Sequence, residues 1–196
     1  MHHAHAFVDG AYLRHLARSL GRPLVDPHQL MGHISRNGVI QRWGAPTAGT
    51  INTVLTRTVY YDARPDSDAE ADQNLVDYWR AIELLPDTEL GFGSLRGRPR
   101  RQKGVDTLIA VDMLVGAFEK LFSVAILAAG DADFVPVVRE VRRRGVMVAV
   151  AAAEGSLADE LRRAADRIVV IGPGIATDWF PALKVGDRTW SPGEGA

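Results

Sequence analysis

The chain has no cysteine, and that absence excludes disulfides and thiolate metal sites together. No apolar run approaches the ~20 residues that a membrane-spanning helix needs, so no membrane partner is expected. The opening Met1-His2-His3-Ala4-His5 lacks the basic region and cleavage pattern of a secretion signal, which points to the cytoplasm. GxGxxG and Walker A sequences are missing too, since Gly91-Phe92-Gly93 is too short to count. What remains is an ordinary globular composition, 46% hydrophobic and 24% charged over 196 residues, long enough to bury one core.

The formal net charge of −1 conceals an asymmetry. Residues 62–89 carry nine acids against Arg64 and Arg80, whereas residues 96–104 carry Arg96, Arg98, Arg100, Arg101 and Lys103 with no acid. Arg139, Arg142, Arg143 and Arg144 form a second basic cluster. Such local fields allow a nucleic-acid partner without demanding one.

Strands and helices alternate along the chain. Ala6-Phe7-Val8 reads as a buried strand ending at Asp9-Gly10, and Ala11 to Leu20 has helical spacing that Gly21 and Pro23 terminate. Pro27 to Ser35 suits a short helix, and Gly44-Ala45-Pro46 with Gly49 marks a loop. Thr50 to Tyr61 is β-branched and aromatic, hence a strand. Asp68 to Leu85 reads as a helix with Leu75, Val76, Trp79, Ile82 and Leu85 inward, and Glu89 to Leu95 as a strand interrupted by Gly91 and Gly93. After the Arg-rich loop, Val105 to Phe122 is a helix packed through Leu108, Ile109, Leu114, Val115 and Phe118. Ser123 to Ala129 is apolar throughout and suits a strand buried on both faces. Helix Phe134–Arg144, strand Val146–Ala152, helix Leu157–Ala165 and strand Ile168–Ile171 follow. This alternation predicts an α/β fold with a mostly parallel sheet and helices on both faces, over residues 1–171. Residues 172–196 read as an irregular tail.

In open α/β sheets, ligands sit beyond the carboxyl ends of the strands, where strand order reverses. Asp9 follows the first strand immediately, and Asp131 and Asp133 follow the most hydrophobic one. Asp106 opens a helix that must start at a sheet end. If these strands are neighbours, four carboxylates meet at one rim. Crowded carboxylates resist ionisation unless a positive charge sits among them, and Mg²⁺ or Mn²⁺ prefers such oxygens while keeping several waters. One such ion, or two ~3.5–4 Å apart, suits phosphodiester hydrolysis. Taken singly, Asp106 and Asp133 read equally well as helix N-caps, and Asp9 as turn chemistry before Gly10.

These residues resemble the NYN domain family, a branch of the PIN-like nuclease superfamily. The resemblance rests on Phe7-Val8-Asp9-Gly10-Ala11-Tyr12, on Lys103-Gly104-Val105-Asp106 with Asp112, and on Ala129-Gly130-Asp131-Ala132-Asp133-Phe134-Val135-Pro136, and covers roughly residues 5–171. It implies a PIN-like three-layer α/β/α sandwich and a divalent-metal-dependent endoribonuclease. Asp9, Asp106, Asp131 and Asp133 would be its catalytic and Mg²⁺- or Mn²⁺-binding acids. Asp112 matches a frequent family acid, but six residues past Asp106 it lies on another helix face, so it reads as a supporting or structural group. Two departures stand out. Ala11 replaces a polar residue and Ala129 a Ser or Thr, so the rim loses hydrogen-bonding groups while keeping its acids.

Arg96, Arg98, Arg100, Arg101 and Lys103, just before Asp106, read as a flexible clamp for RNA phosphates, single-stranded or structured. The alternative is a solvated loop. Arg139 to Arg144 lies in the last turns of a helix, where cations complement the dipole. The six histidines form no ligand pattern, and His2, His3 and His5 read as a mobile end. Trp79 reads as core, while Trp179 and Trp190 would pin the tail or meet a partner. A homodimer is allowed. The competing function is a catalytically weak or inactive module that binds RNA or a protein. A phosphatase with a nucleophilic Asp ranks last, because its acid pair would belong after the first strand.

Overall fold

The computed structural model describes residues 2–21, 25–37, 53–65, 72–96, 101–172, 183–185 and 188–189. Its elements run β1 (His2–Asp9), α1 (Gly10–Ser19), α2 (Pro27–Asn37), β2 (Thr53–Arg64), α3 (Gln73–Glu83), β3 (Thr88–Arg96) and β4 (Arg101–Lys103). Then follow α4 (Val105–Phe118), β5 (Val124–Ala128), α5 (Val135–Arg143), β6 (Met147–Ala152), α6 (Asp159–Ala164), β7 (Arg167–Val170), β8 (Lys184–Val185) and β9 (Arg188–Thr189).

Seven strands form one sheet in the order β4-β3-β2-β1-β5-β6-β7. All are parallel except β4, which turns back along the edge of β3. The chain builds outward from β1 through β2 to β3, then returns to the other side of β1 and builds outward again from β5. Alternate residues of β1 explain the three layers. Ala4, Ala6 and Val8 face a core shared with α1, α2 and α3, and Phe7 faces one shared with α4, α5 and α6. The α/β/α sandwich expected from the alternation is therefore present. All five residues of β5 are buried, as its unbroken apolar run requires.

Several boundaries and packing assignments differ from expectation. His2, His3 and His5 are not a mobile end: β1 starts at His2, because β2 reaches back to Thr53 and supplies a partner there. Residues 66–71 lie outside the described residues, and α3 begins at Gln73 behind an Asp72 cap. Strand β3 is continuous through its glycines. At Gly91 a side chain would stand 2.6 Å from the Tyr61 ring, so the glycine admits a neighbour rather than breaking the strand. Helix α4 stops at Phe118, four residues early. Its residues Val115 and Phe118 are 46% and 55% exposed rather than core, because Val105, Ile109, Met113 and Ala117 already fill the face toward the sheet. The tail forms the small β8–β9 hairpin, and Leu183 is buried in the core beside α1–α3. Among the described residues, no helix is long and apolar enough to cross a membrane.

Candidate active site

The switch point falls between β1 and β5, which pair directly, with Val8 opposite Ala128. Asp9 is the last residue of β1, and Asp131 lies three residues beyond the end of β5, so both stand at the carboxyl ends of these neighbouring strands. Asp9 caps α1, its Oδ1 accepting a hydrogen bond from the Tyr12 backbone N–H at 3.1 Å. Asp131 caps the short 3₁₀ turn 132–134, accepting from the Asp133 backbone N–H at 3.0 Å. The capping roles thus fall on Asp9 and Asp131, not on the two acids for which the sequence suggested them. Asp106 is not a cap: Gly104 occupies that position with a left-handed φ of 85°, and Asp106 lies in the first turn of α4. Asp133 lies inside the 3₁₀ turn.

The electrostatics tie these residues together. Burial pushes the Asp9 carboxyl above its usual range; the N–H groups of Tyr12 and Ala11 pull it back, and the Asp106 charge pushes it up again. Asp106 is also raised, first by burial and then by Asp131 and Asp133. Asp106, in the first turn of α4, thus feels Asp131 and Asp133 in the turn after β5, and its own charge reaches Asp9 at the end of β1. The oxygen-only donor set suits a hard cation. As they stand, however, no three acidic or histidine side chains among the described residues close into a ready cage for one ion.

Asp112 lies apart from this group. Its carboxylate accepts a hydrogen bond from the Tyr61 hydroxyl at 2.7 Å, which fastens α4 to β2. Of the basic stretch, Arg98 and Arg100 lie outside the described residues. Arg96 and Arg101 are register partners where β4 pairs with β3. Lys103 is exposed one residue before the Gly104 cap. The second cluster behaves as a helix end. Arg143 and Arg144 bond Glu140, and Arg142 bonds Asp166 and the Ala164 carbonyl. A cleft of about 690 Å³ beside Arg142, Arg162 and Arg163 contains none of the site acids.

Three supporting features escaped the sequence reading. Tyr12 straps α1 to the loop after β6, its hydroxyl 2.6 Å from Ser156 Oγ and 2.9 Å from the Ala153 N–H that it accepts. Gly130 leaves room for the Ser156 carbonyl, and a side chain there would also press on the Tyr12 ring at 3.0 Å. Asp62, only 1% exposed at the end of β2, takes two Arg14 N–H groups, Trp79 Nε1 at 2.8 Å and the Ala63 N–H at 2.9 Å. Only the Gly-Asp pairing at Gly130 left a local signal; the others depend on contacts distant in sequence. Trp79 is core, as expected, and Trp43, Trp179 and Trp190 lie outside the described residues.

Fold and rim together define a class: a doubly wound α/β domain with aspartates at the carboxyl ends of the strands at its switch. The NYN domain model matches residues 4–172, and the chain belongs to that family, whose PIN-like nuclease character supports a nuclease-type function. No curated protein matches the sequence significantly. A solved protein of unknown function from Vibrio parahaemolyticus shares the fold, with a TM-score of 0.59 at 17% identity, over 91% of this chain and 95% of that one.

Proposed function

We propose that this protein is a divalent-metal-dependent ribonuclease that hydrolyses RNA phosphodiester bonds at Asp9, Asp106, Asp131 and Asp133. The observation that carries the reading is placement around the β1–β5 switch: Asp9 ends β1, Asp131 and Asp133 occupy the turn after the neighbouring β5, and Asp106 in the first turn of α4 feels the charges of that turn. Mg²⁺ or Mn²⁺ bound there would supply Lewis acidity toward a phosphoryl oxygen and a more acidic water. The chain's own part is to aim the oxygens. Backbone N–H groups orient Asp9 and Asp131, while Asp106 arrives on a rigid helix. The basic residues Arg96, Arg98, Arg100, Arg101 and Lys103 precede α4 directly in sequence and would steer the RNA backbone toward Asp106.

The test compares cleavage of single-stranded RNA in Mn²⁺ by the wild type and by Asp131→Asn. The expected result is cleavage by the wild type and none above background by the variant. Equal cleavage by both would overturn the assignment. A second reading, a non-catalytic RNA- or protein-binding module, draws support from Ala11 and Ala129 and from the lack of a ready three-acid cage among the described residues. Titration calorimetry with Mn²⁺ separates the two, since heat of binding abolished by Asp131→Asn belongs to the first reading alone.

A further inference from the structure

Helix α4 departs from the pattern of the other surface helices. Val105, Ile109, Met113, Gly116 and Ala117 face the sheet, yet the outward face is apolar as well. Val111, Val115 and Phe118 are 48%, 46% and 55% exposed, and Leu121 just beyond is 47% exposed. Steps of four and three residues put the first three on one stripe. They and Leu121 make up four of the six large apolar residues exposed among the described residues. A concentrated exposed apolar patch marks an interaction surface.

The charges on either side of the stripe point to its occupant. Helix α4 packs against α5, which lies on the β6 side of it, while Asp112 bonds Tyr61 in β2 on the other side of β1. The Asp112 flank and the α5 flank are therefore opposite sides of the helix. Glu119 lies seven residues past Asp112, two turns on and on the same side; both are exposed. On the opposite flank, the end of α5 supplies exposed Arg143 and Arg144, which share the single carboxylate of Glu140, with the Arg144 guanidinium 3.6 Å over the Phe118 ring. One flank carries two acids, the other two arginines against one acid and hence a net positive charge, and an apolar seam runs between them.

We propose that this face is the interface of a homodimer whose two-fold axis runs parallel to α4. That symmetry sets the acidic flank of each copy against the basic flank of the other, with Glu119 near the partner's Arg144. The antiparallel alternative would set acid flank on acid flank, Asp112 beside the partner's Glu119, and like charges there are unfavourable. Isologous two-fold pairing is also the commonest oligomeric arrangement. The stripe is short of the roughly 800 Å² per partner of a stable interface, so the α5 end takes part as a charged rim. The proposal is independent of the nuclease reading.

The absence of cysteine makes the test clean. Val111→Cys, Val115→Cys and Phe118→Cys, each alone in the chain, should all form self-linked dimers on mild oxidation, because parallel helices place each residue beside its own copy. An antiparallel pair would link Val115→Cys to itself but Val111→Cys to Phe118→Cys, and that pattern overturns the proposal. By light scattering and sedimentation the wild type should be dimeric. Val115→Arg should weaken dimerisation at least about thirtyfold with an unchanged circular dichroism spectrum. Glu119→Arg should weaken it too, and adding Arg144→Glu should restore it, a readout that does not depend on Val115→Arg folding. A monomeric wild type, with the Val115→Cys thiol either freely reactive or shielded by another part of the chain, would refute the dimer.

Discussion

Removing the Asp62 carboxylate should destabilise the protein more than any other single truncation of a charged side chain described above. Asp62 is 1% exposed, and its partner Arg14 has a side chain 15% exposed. Asp62→Ala leaves the Arg14 guanidinium with only the Tyr60 hydroxyl, at 2.8 Å, and strands Trp79 Nε1. Breaking a buried pair from one side costs about 3–5 kcal/mol, because the remaining charge stays desolvated. The slight opening of Arg14 to solvent favours the lower end of that range. Arg14→Met should cost less, since Asp62 keeps the Trp79 and Ala63 donors. The double variant should fall short of the sum by about 1–3 kcal/mol, as contacting residues do. Urea unfolding reads all three, provided the m-values agree. The reasoning is refuted if Asp62→Ala costs less than about 1 kcal/mol, or if the two changes simply add. Since α1 runs from the Asp9 cap through Arg14, the same variant should speed amide exchange across α1.

Three further expectations follow from the site's surroundings. Gly130→Ala forces a methyl group against the Ser156 carbonyl, and overpacking of this kind costs about 1–3 kcal/mol, readable as a lower thermal midpoint. Tyr12→Phe removes the bonds to Ser156 and Ala153 and should cost about 1–3 kcal/mol at roughly 0.5–1.5 per bond; no change in denaturation midpoint would refute the strap. His5 has its pKa lowered by burial and then by Arg57, with Glu89 opposing and His3 adding slightly. The folded state binds its proton less readily than the unfolded state, so stability falls as pH drops through the unfolded value of about 6.5. His5→Gln should flatten that slope between pH 7.5 and 5.5 in thermal melts, and an unaltered slope would exclude His5 as its source.

What the residues alone determined is local. Apolar runs of strand length alternating with helical periodicity specified a parallel sheet sandwiched by helices, and the run before Gly130 announced a strand buried on both faces. Asp9, Asp131 and Asp133 were legible because they directly follow strands, and strand ends in such folds lie at the ligand-binding rim. Tertiary structure decided whatever depends on which strands are neighbours. Pairing of β1 with β5 brings the strand ends before Asp131 and at Asp9 next to each other, and α4 packing beside the switch brings Asp106 under the influence of Asp131 and Asp133. Only the assembled fold shows Asp62 holding Arg14, Tyr12 reaching Ser156, or Val115 and Phe118 facing outward. Periodicity reports that a side chain is apolar and on which side of its own element it lies. It carries no record of how many neighbours reach that side, because packing partners come from distant parts of the chain and are chosen by shape and burial rather than by local spacing.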